Sequence, residues 1–317
     1  MKIIVTDTDY SPELCQLIRN TAGDNEVVFP ASQEELTEAA DADVEIVFGK
    51  CKKELLSHLP NLKWIQANSA GMDAFLYPEL RKSDVVVTNA ARLYGPNVAD
   101  QGFALLLALT RGIHQFARRQ PDHNWDRNLP TPIIELTGST IGIVGMGGIG
   151  EFMANRAKGF DTHVIAVDAF RTDAPDNVDE LMGIDQLSHL MRRSDVVMIA
   201  CPLTDDTRGL INAQNLTLMK PNAYLINVAR GPIVDQAALV EVLKQGKIAG
   251  AGLDVTEVEP LEKESPLWDM QNVIISPHVA GVSQARLPRL VSLFCENLIK
   301  YISGEPMANV VQKDRGF

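Results

Sequence analysis

Short apolar runs recur along this chain, each followed by a stretch with helical spacing. In the first hundred residues the runs are Ile3-Ile4-Val5, Val27-Val28-Phe29, Val44-Glu45-Ile46-Val47-Phe48, Leu62-Lys63-Trp64-Ile65-Gln66 and Val85-Val86-Val87-Thr88, and a polar helical segment opens at Pro12. Strand-length runs alternating with helices predict a parallel sheet wrapped by helices. A long helix is predicted from about Asn97 to Arg119: Pro96 suits its start, and the dense run Leu105-Leu106-Leu107-Ala108-Leu109 suits burial between layers. Residues 121–132, rich in Pro, Asn and Asp, read as a loop. Trp125, in its middle, is either a subunit contact or a cover over a helix.

The pattern restarts at Ile133. Runs at Thr140-Ile141-Gly142-Ile143-Val144, Val164-Ile165-Ala166-Val167, Val196-Val197-Met198-Ile199, Tyr224-Leu225-Ile226-Asn227, Ala249-Gly250-Ala251-Gly252-Leu253 and Val273-Ile274-Ile275 are almost continuously apolar. That character fits a sheet buried on both faces. A last helix is predicted from about Leu287 to Ser303.

Composition narrows the class. With 317 residues the chain can form two domains of ordinary size, and 45% hydrophobic with 22% charged residues is a globular rather than a disordered balance. A net charge of −12 argues against a general nucleic-acid partner. The longest apolar stretch, Phe103 to Leu109, is too short to span a membrane, and Asp7, Asp9 and Glu13 interrupt any leader early. Cys15, Cys51, Cys201 and Cys295 are scattered, form no metal or redox motif, and read as reduced thiols of a cytoplasmic protein. No metal is expected.

The glycines Gly145-Met146-Gly147-Gly148-Ile149-Gly150 form a G-x-G-x-x-G between a strand and a helix, and the next strand ends in Asp168. This spacing is a dinucleotide fingerprint. Gly145 allows the tight turn, Gly147 lets backbone approach the pyrophosphate, Gly150 lets helix and strand pack closely, and the helix N-terminus receives the phosphates. Asp168 can hold the adenosine ribose and repel a 2′-phosphate, which favours NAD over NADP; Arg171 is a counter-signal, because an arginine there could accommodate that phosphate.

Three later stretches each offer one chemically useful side chain. Arg230 lies in Asn227-Val228-Ala229-Arg230-Gly231, Glu259 precedes Pro260, and His278 lies in Ser276-Pro277-His278-Val279-Ala280-Gly281. A guanidinium can clamp a carboxylate, an imidazole can carry a proton near neutral pH, and a carboxylate can hold and tune the imidazole. Arg230 could instead pair with Asp235, and Glu257 or Glu262 could replace Glu259. His58, His114, His123, His163 and His189 sit in polar or helical contexts and read as surface residues.

Here the chain resembles the NAD-dependent D-isomer-specific 2-hydroxyacid dehydrogenases. The resemblance rests on Gly145 to Gly150, Cys201-Pro202-Leu203-Thr204 with Thr207, Asn227 to Gly231, Asp254 to Pro260, and Pro277 to Gly281, and it covers nearly the entire chain. Trp64-Ile65-Gln66 and Ala70-Gly71-Met72-Asp73 look like the glyoxylate and hydroxypyruvate reductase side of that family. The resemblance implies Arg230 as carboxylate clamp, helped by backbone N–H groups around Ala70 and Gly71, His278 as general acid/base, and Glu259 as its partner, the following proline matching the family's pattern. It implies that Asp254 holds the nicotinamide carboxamide. It also implies that Gly147, Gly148, Ile149, Asp168, Cys201, Pro202, Thr207, Val228, Ala229, Arg230, His278 and Gly281 contact the cofactor. The family usually carries Val-Ala-Glu where this chain has Val98-Ala99-Asp100, a change expected to touch helix packing only. Tyr94 reads as a surface loop residue with substrate contact as the alternative.

The expected fold class is α/β, with two doubly wound parallel-sheet domains. A Rossmann cofactor domain at 105–285 is inserted into a flavodoxin-like substrate domain made of 1–104 and 286–317, with the active site in a cleft between them. The expected function is hydride transfer between NAD(H) and a small 2-keto or D-2-hydroxy acid, glyoxylate or hydroxypyruvate first, in a homodimer. Formate dehydrogenase is disfavoured because that branch carries Gln where Glu259 stands. A phosphoglycerate dehydrogenase with a regulatory tail is disfavoured because the chain ends soon after Ile302. The rival of another class is an NAD-sensing co-regulator, disfavoured by the lack of a basic or disordered extension.

Overall fold

The computed structural model describes residues 1–7 and 9–316. The chain forms two compact units: Met1–Tyr94 with Ser283–Phe317, and Gly95–Val282. The boundaries therefore differ from 104/105 and 285/286. The helix Gly95–Thr110 packs on the helix Gly148–Lys158 and on strands of the second unit, so it goes with that unit whole.

The first unit holds five parallel strands, β1 Lys2–Val5, β2 Glu26–Val28, β3 Val44–Phe48, β4 Trp64–Gln66 and β5 Val86–Thr88, in the order β2-β1-β3-β4-β5. That is the flavodoxin-like order. The C-terminal helix Arg286–Ser303 returns to it: Phe294 stacks on Phe48 at 4.2 Å between ring centroids and on Trp64 at 5.4 Å. Its buried Asn297 donates to Gln66 Oε1, which also accepts the Thr88 hydroxyl, so these three buried polar side chains satisfy one another.

The second unit holds seven parallel strands: β6 Thr140–Val144, β7 His163–Asp168, β8 Glu180–Gly183, β9 Val196–Ile199, β10 Tyr224–Asn227, β11 Gly250–Leu253 and β12 Val273–Ile275. Their order is β12-β11-β10-β9-β6-β7-β8. β6, β9, β10 and β11 are almost wholly buried, which is why they read as uninterrupted apolar runs. β8, Glu180-Leu181-Met182-Gly183, is an edge strand only partly buried, and its short mixed pattern gave no strand signal. The long helix expected from 97 to 119 is two helices, Gly95–Thr110 and Ile113–Arg119, because Gly112 takes a left-handed φ of 67° between them. Trp125 is 89% exposed, so it covers no helix of its own chain. No described helix is long and apolar enough to cross a membrane, and all four cysteines are free thiols.

Candidate active site

Parallel strands deliver the loops at their carboxyl ends to one sheet edge, and here that rule gathers the chemistry. Arg230 follows β10, Glu259 lies in the loop after β11, and His278 follows β12; these three strands are neighbours. The glycine loop follows β6, Asp168 ends β7, and Cys201 follows β9, all at the same edge of the same sheet.

His278 Nδ1 lies 2.7 Å from Glu259 Oε2. The other carboxylate oxygen, Oε1, accepts the Thr256 N–H at 3.2 Å, which holds the acid from its own loop. Among the three acids of this segment it is Glu259 that meets the imidazole; Glu257 instead turns its N–H to Gln236 Oε1. Both partners are exposed, so the pair remains open to small molecules. His278 has a left-handed φ of 52°, uncommon for a residue with a Cβ.

The loop that carries the imidazole is anchored by Asp254. This aspartate is 1% exposed. Its Oδ1 accepts the Ser276 hydroxyl at 2.6 Å and the Val279 N–H at 3.1 Å, and its Oδ2 accepts the Ala280 N–H at 2.9 Å. Its carbonyl oxygen accepts the His278 N–H at 2.8 Å. Asn227 shapes the arginine loop in the same way: its Oδ1 accepts the Ala229 N–H and its Nδ2 donates to the Arg230 carbonyl at 3.0 Å. Gly231 then lets that loop lie directly on the Thr256–Glu257 backbone, since a Cβ on it would fall 1.8 Å from the Thr256 carbonyl oxygen. Asp235, the alternative partner considered for Arg230, accepts the Ala238 N–H as a helix cap. Asn227, Ser276 and Thr256 carried no sequence signal of their own, because their side chains serve loops defined only by the neighbouring strands.

The glycine loop fits a dinucleotide. Gly145 needs φ of +97°, and its position against the Cys201 backbone leaves no room for a Cβ. The N–H groups of Gly147, Gly148 and Ile149 open the helix and have no protein acceptor among the described residues, as an anion-binding helix start requires. Asp168 is fixed by three backbone donors: Met146 N–H at 2.7 Å, and Phe170 and Arg171 N–H at 2.8 Å each. Arg171 is drawn away onto other partners, with ion pairs to Glu151 and Asp173 and a bond to the Met146 carbonyl. Thr207 folds the turn after β9, donating to the Pro202 carbonyl and accepting the Thr204 N–H. Burial pushes the Cys201 thiol up to about 12, so it stays protonated and lines the loop without acting as a nucleophile. Val228 and Ala229 are buried behind the arginine loop, while Gly281 is half-buried past the histidine.

In the first unit, Ala70 and Gly71 follow β4, again at a carboxyl end. Asn89 Nδ2 and Ser69 Oγ engage their carbonyls, and their N–H groups have no protein acceptor among the described residues. Tyr94 is half-buried and more than a loop surface residue: its hydroxyl donates to the Asn68 carbonyl and accepts Arg286 Nε at 3.4 Å. His114 is half-buried, its two ring nitrogens lying against the Ala108 and Gln271 carbonyls at 2.8 and 2.9 Å. Asp100, the departure from Val-Ala-Glu, pairs with Arg156 Nε at 2.7 Å across two packed helices.

A Rossmann sheet with this loop and this acid defines an NAD(P)-binding domain. Residues 103–280 match the family model described as the D-isomer specific 2-hydroxyacid dehydrogenase NAD-binding domain. A glyoxylate reductase from Thermofilum pendens is 37% identical over 308 residues, covering 95% of this chain and 90% of that one. A glyoxylate reductase from Thermococcus litoralis is 38% identical over 282 residues, covering 86% and 84%. Among solved structures, an NADPH-dependent glyoxylate/hydroxypyruvate reductase from Sinorhizobium meliloti, in complex with NADP and sulfate, matches with a TM-score of 0.85 at 27% identity, covering all of both chains. This chain belongs to the D-isomer-specific 2-hydroxyacid dehydrogenases, oxidoreductases that act on CH–OH groups.

Proposed function

We propose that this enzyme reduces a small 2-keto acid, glyoxylate or hydroxypyruvate, to the D-2-hydroxy acid with NADH. The observation that carries the reading is the His278–Glu259 pair at 2.7 Å, on the strand ends next to the one that carries Arg230. The bound dinucleotide supplies the hydride in reduction and takes it up in oxidation. Arg230 clamps the substrate carboxylate and polarises the carbonyl. His278 gives a proton from Nε2 to the carbonyl oxygen, since Nδ1 is committed to Glu259, and takes it back from the hydroxyl in the reverse direction. Glu259 fixes the ring orientation through its contact with Nδ1. Gly147, Gly148 and Ile149 present N–H groups to the pyrophosphate, Asp168 takes the adenosine ribose, and the loops at Cys201, Pro202, Thr207, Val228, Ala229, Asp254 and Gly281 line the cofactor site.

NAD is favoured over NADP because Asp168 stands at the ribose position and Arg171 is already neutralised by Glu151 and Asp173. The similarity to the glyoxylate reductases of Thermofilum pendens and Thermococcus litoralis supports the substrate class. The exposed Trp125, with exposed Ile113 and Ile133 near it in sequence, supports a homodimer, and the four free thiols support a cytoplasmic location.

The test is NADH oxidation against glyoxylate, hydroxypyruvate and longer 2-keto acids, repeated with NADPH. His278→Asn is expected to cut turnover by about 10²-fold or more while NADH binding survives. Arg230→Ala is expected to cost about 2–5 kcal/mol in kcat/KM for the keto acid. Wild-type turnover in the first variant refutes the proton-transfer role, and unaltered keto-acid kinetics in the second refute the clamp.

A further inference from the structure

We propose that Gln101 is a positioning residue for His278, acting through Ser276 and Asp254. The inference rests on the acid–base reading of His278 given above.

Gln101 stands on the helix Gly95–Thr110, and its Nε2 donates to Ser276 Oγ at 2.8 Å. A serine hydroxyl has one proton. With an N–H arriving at its oxygen, that proton is directed at Asp254 Oδ1, 2.6 Å away. The reverse amide orientation would put the Gln101 oxygen and the Asp254 carboxylate in competition for one proton, leaving a short contact without a donor. The relay therefore has a single sense: amide to hydroxyl to carboxylate.

Asp254 spends what it has on the histidine loop. The N–H groups of His278, Val279 and Ala280, three in succession, all end on this one residue. One turn earlier on the same helix, Asn97 Nδ2 donates to the Ala280 carbonyl at 2.7 Å. Positions 97 and 101 are four apart and share a helix face, so one rigid element grips the loop at Ser276 and at Ala280, on either side of His278. A grip of this kind is what a left-handed residue requires, because such backbone persists only where its surroundings over-determine it. Beyond its backbone, the imidazole is held by Glu259 through Nδ1, so the place of Nε2 follows from where the loop puts the ring.

Gln101 touches none of the reacting groups, and its loss should act through the position of the imidazole. Turnover with NADH and glyoxylate is measured for Gln101→Leu and for Ser276→Ala, which breaks the same relay with a smaller change of volume, each alone and in the His278→Asn background. NADH dissociation constants are measured by fluorescence. Each single variant is expected to lose about tenfold in kcat, since misplacements of an ångström or less carry such costs, with glyoxylate KM and NADH affinity within about threefold of wild type. In the His278→Asn background the further loss is expected to fall below about twofold, the mark of two residues acting through one step. An undiminished kcat in both single variants overturns the proposal, as does a full tenfold loss that persists without His278. If His278→Asn alone leaves turnover intact, the acid–base reading fails first and this proposal with it; the persistent loss refutes the positioning role alone.

Discussion

Replacing Gly231 by alanine puts a single methyl group between the arginine loop and the loop that holds Glu259. The added Cβ would fall 1.8 Å from the Thr256 carbonyl oxygen, 2.0 Å from its carbon and 2.6 Å from the Glu257 nitrogen. All three are backbone atoms, so no side chain can rotate away. Because real Cβ contacts stay beyond 3.0 Å, the two loops must separate by about 1.2 Å. Overpacking of this kind costs about 1–3 kcal/mol of stability, a loss that a protein of ordinary stability survives. The functional cost should be larger in proportion. Arg230 precedes the substituted residue, and a displacement near 1 Å at a substrate-orienting group can lower turnover by about 10²-fold. Steady-state reduction of glyoxylate, followed by NADH absorbance, should therefore show kcat/KM down by about that factor, with NADH affinity measured by fluorescence little changed. The urea midpoint should fall with an unaltered slope. A Gly231→Ala protein with wild-type kcat/KM and an unshifted midpoint would refute the claim that this contact sets the distance between the loops.

Two further outcomes follow from the cofactor side and from the surface. Glu151→Gln removes one of the two charges that hold Arg171, and the loosened guanidinium should improve NADPH affinity by about tenfold, the worth of one charge-assisted bond, while NADH affinity stays near wild type; equal effects on both cofactors in fluorescence titration would remove Glu151 from cofactor selection. Light scattering coupled to size exclusion should give twice the chain mass for the wild type, and Trp125→Asp should shift the particle toward one chain if this exposed ring is an interface anchor; a monomeric wild type ends the homodimer reading.

Much of this was legible in the residues because the determinants are local. A strand buried on both faces is apolar almost throughout, so β6, β9 and β10 announced themselves, and β8, an edge strand only partly buried, did not. The glycine loop was readable because its turn, helix start and terminal acid follow one another within a short stretch of chain. The break at Gly112 was not, since the apolar spacing continues across it and only the left-handed backbone there separates the helices. His114 looked like a polar helix residue because its carbonyl partner at Gln271 lies far along the chain.

The sequence by itself determined which side chains could carry the chemistry: a guanidinium, an imidazole and a carboxylate, each in a short motif, and a dinucleotide loop before them. Only the tertiary structure decided which of them meet. Glu259 rather than Glu257 reaches His278 because the loop after β11 turns that carboxylate toward the end of β12. Gln101 and Asn97 acquired a bearing on His278 because a helix well over a hundred residues upstream is laid against the same sheet edge. Hydrophobic periodicity is written in neighbouring residues, whereas a hydrogen bond across that span is set by how strands order themselves in the sheet, and no local pattern records it.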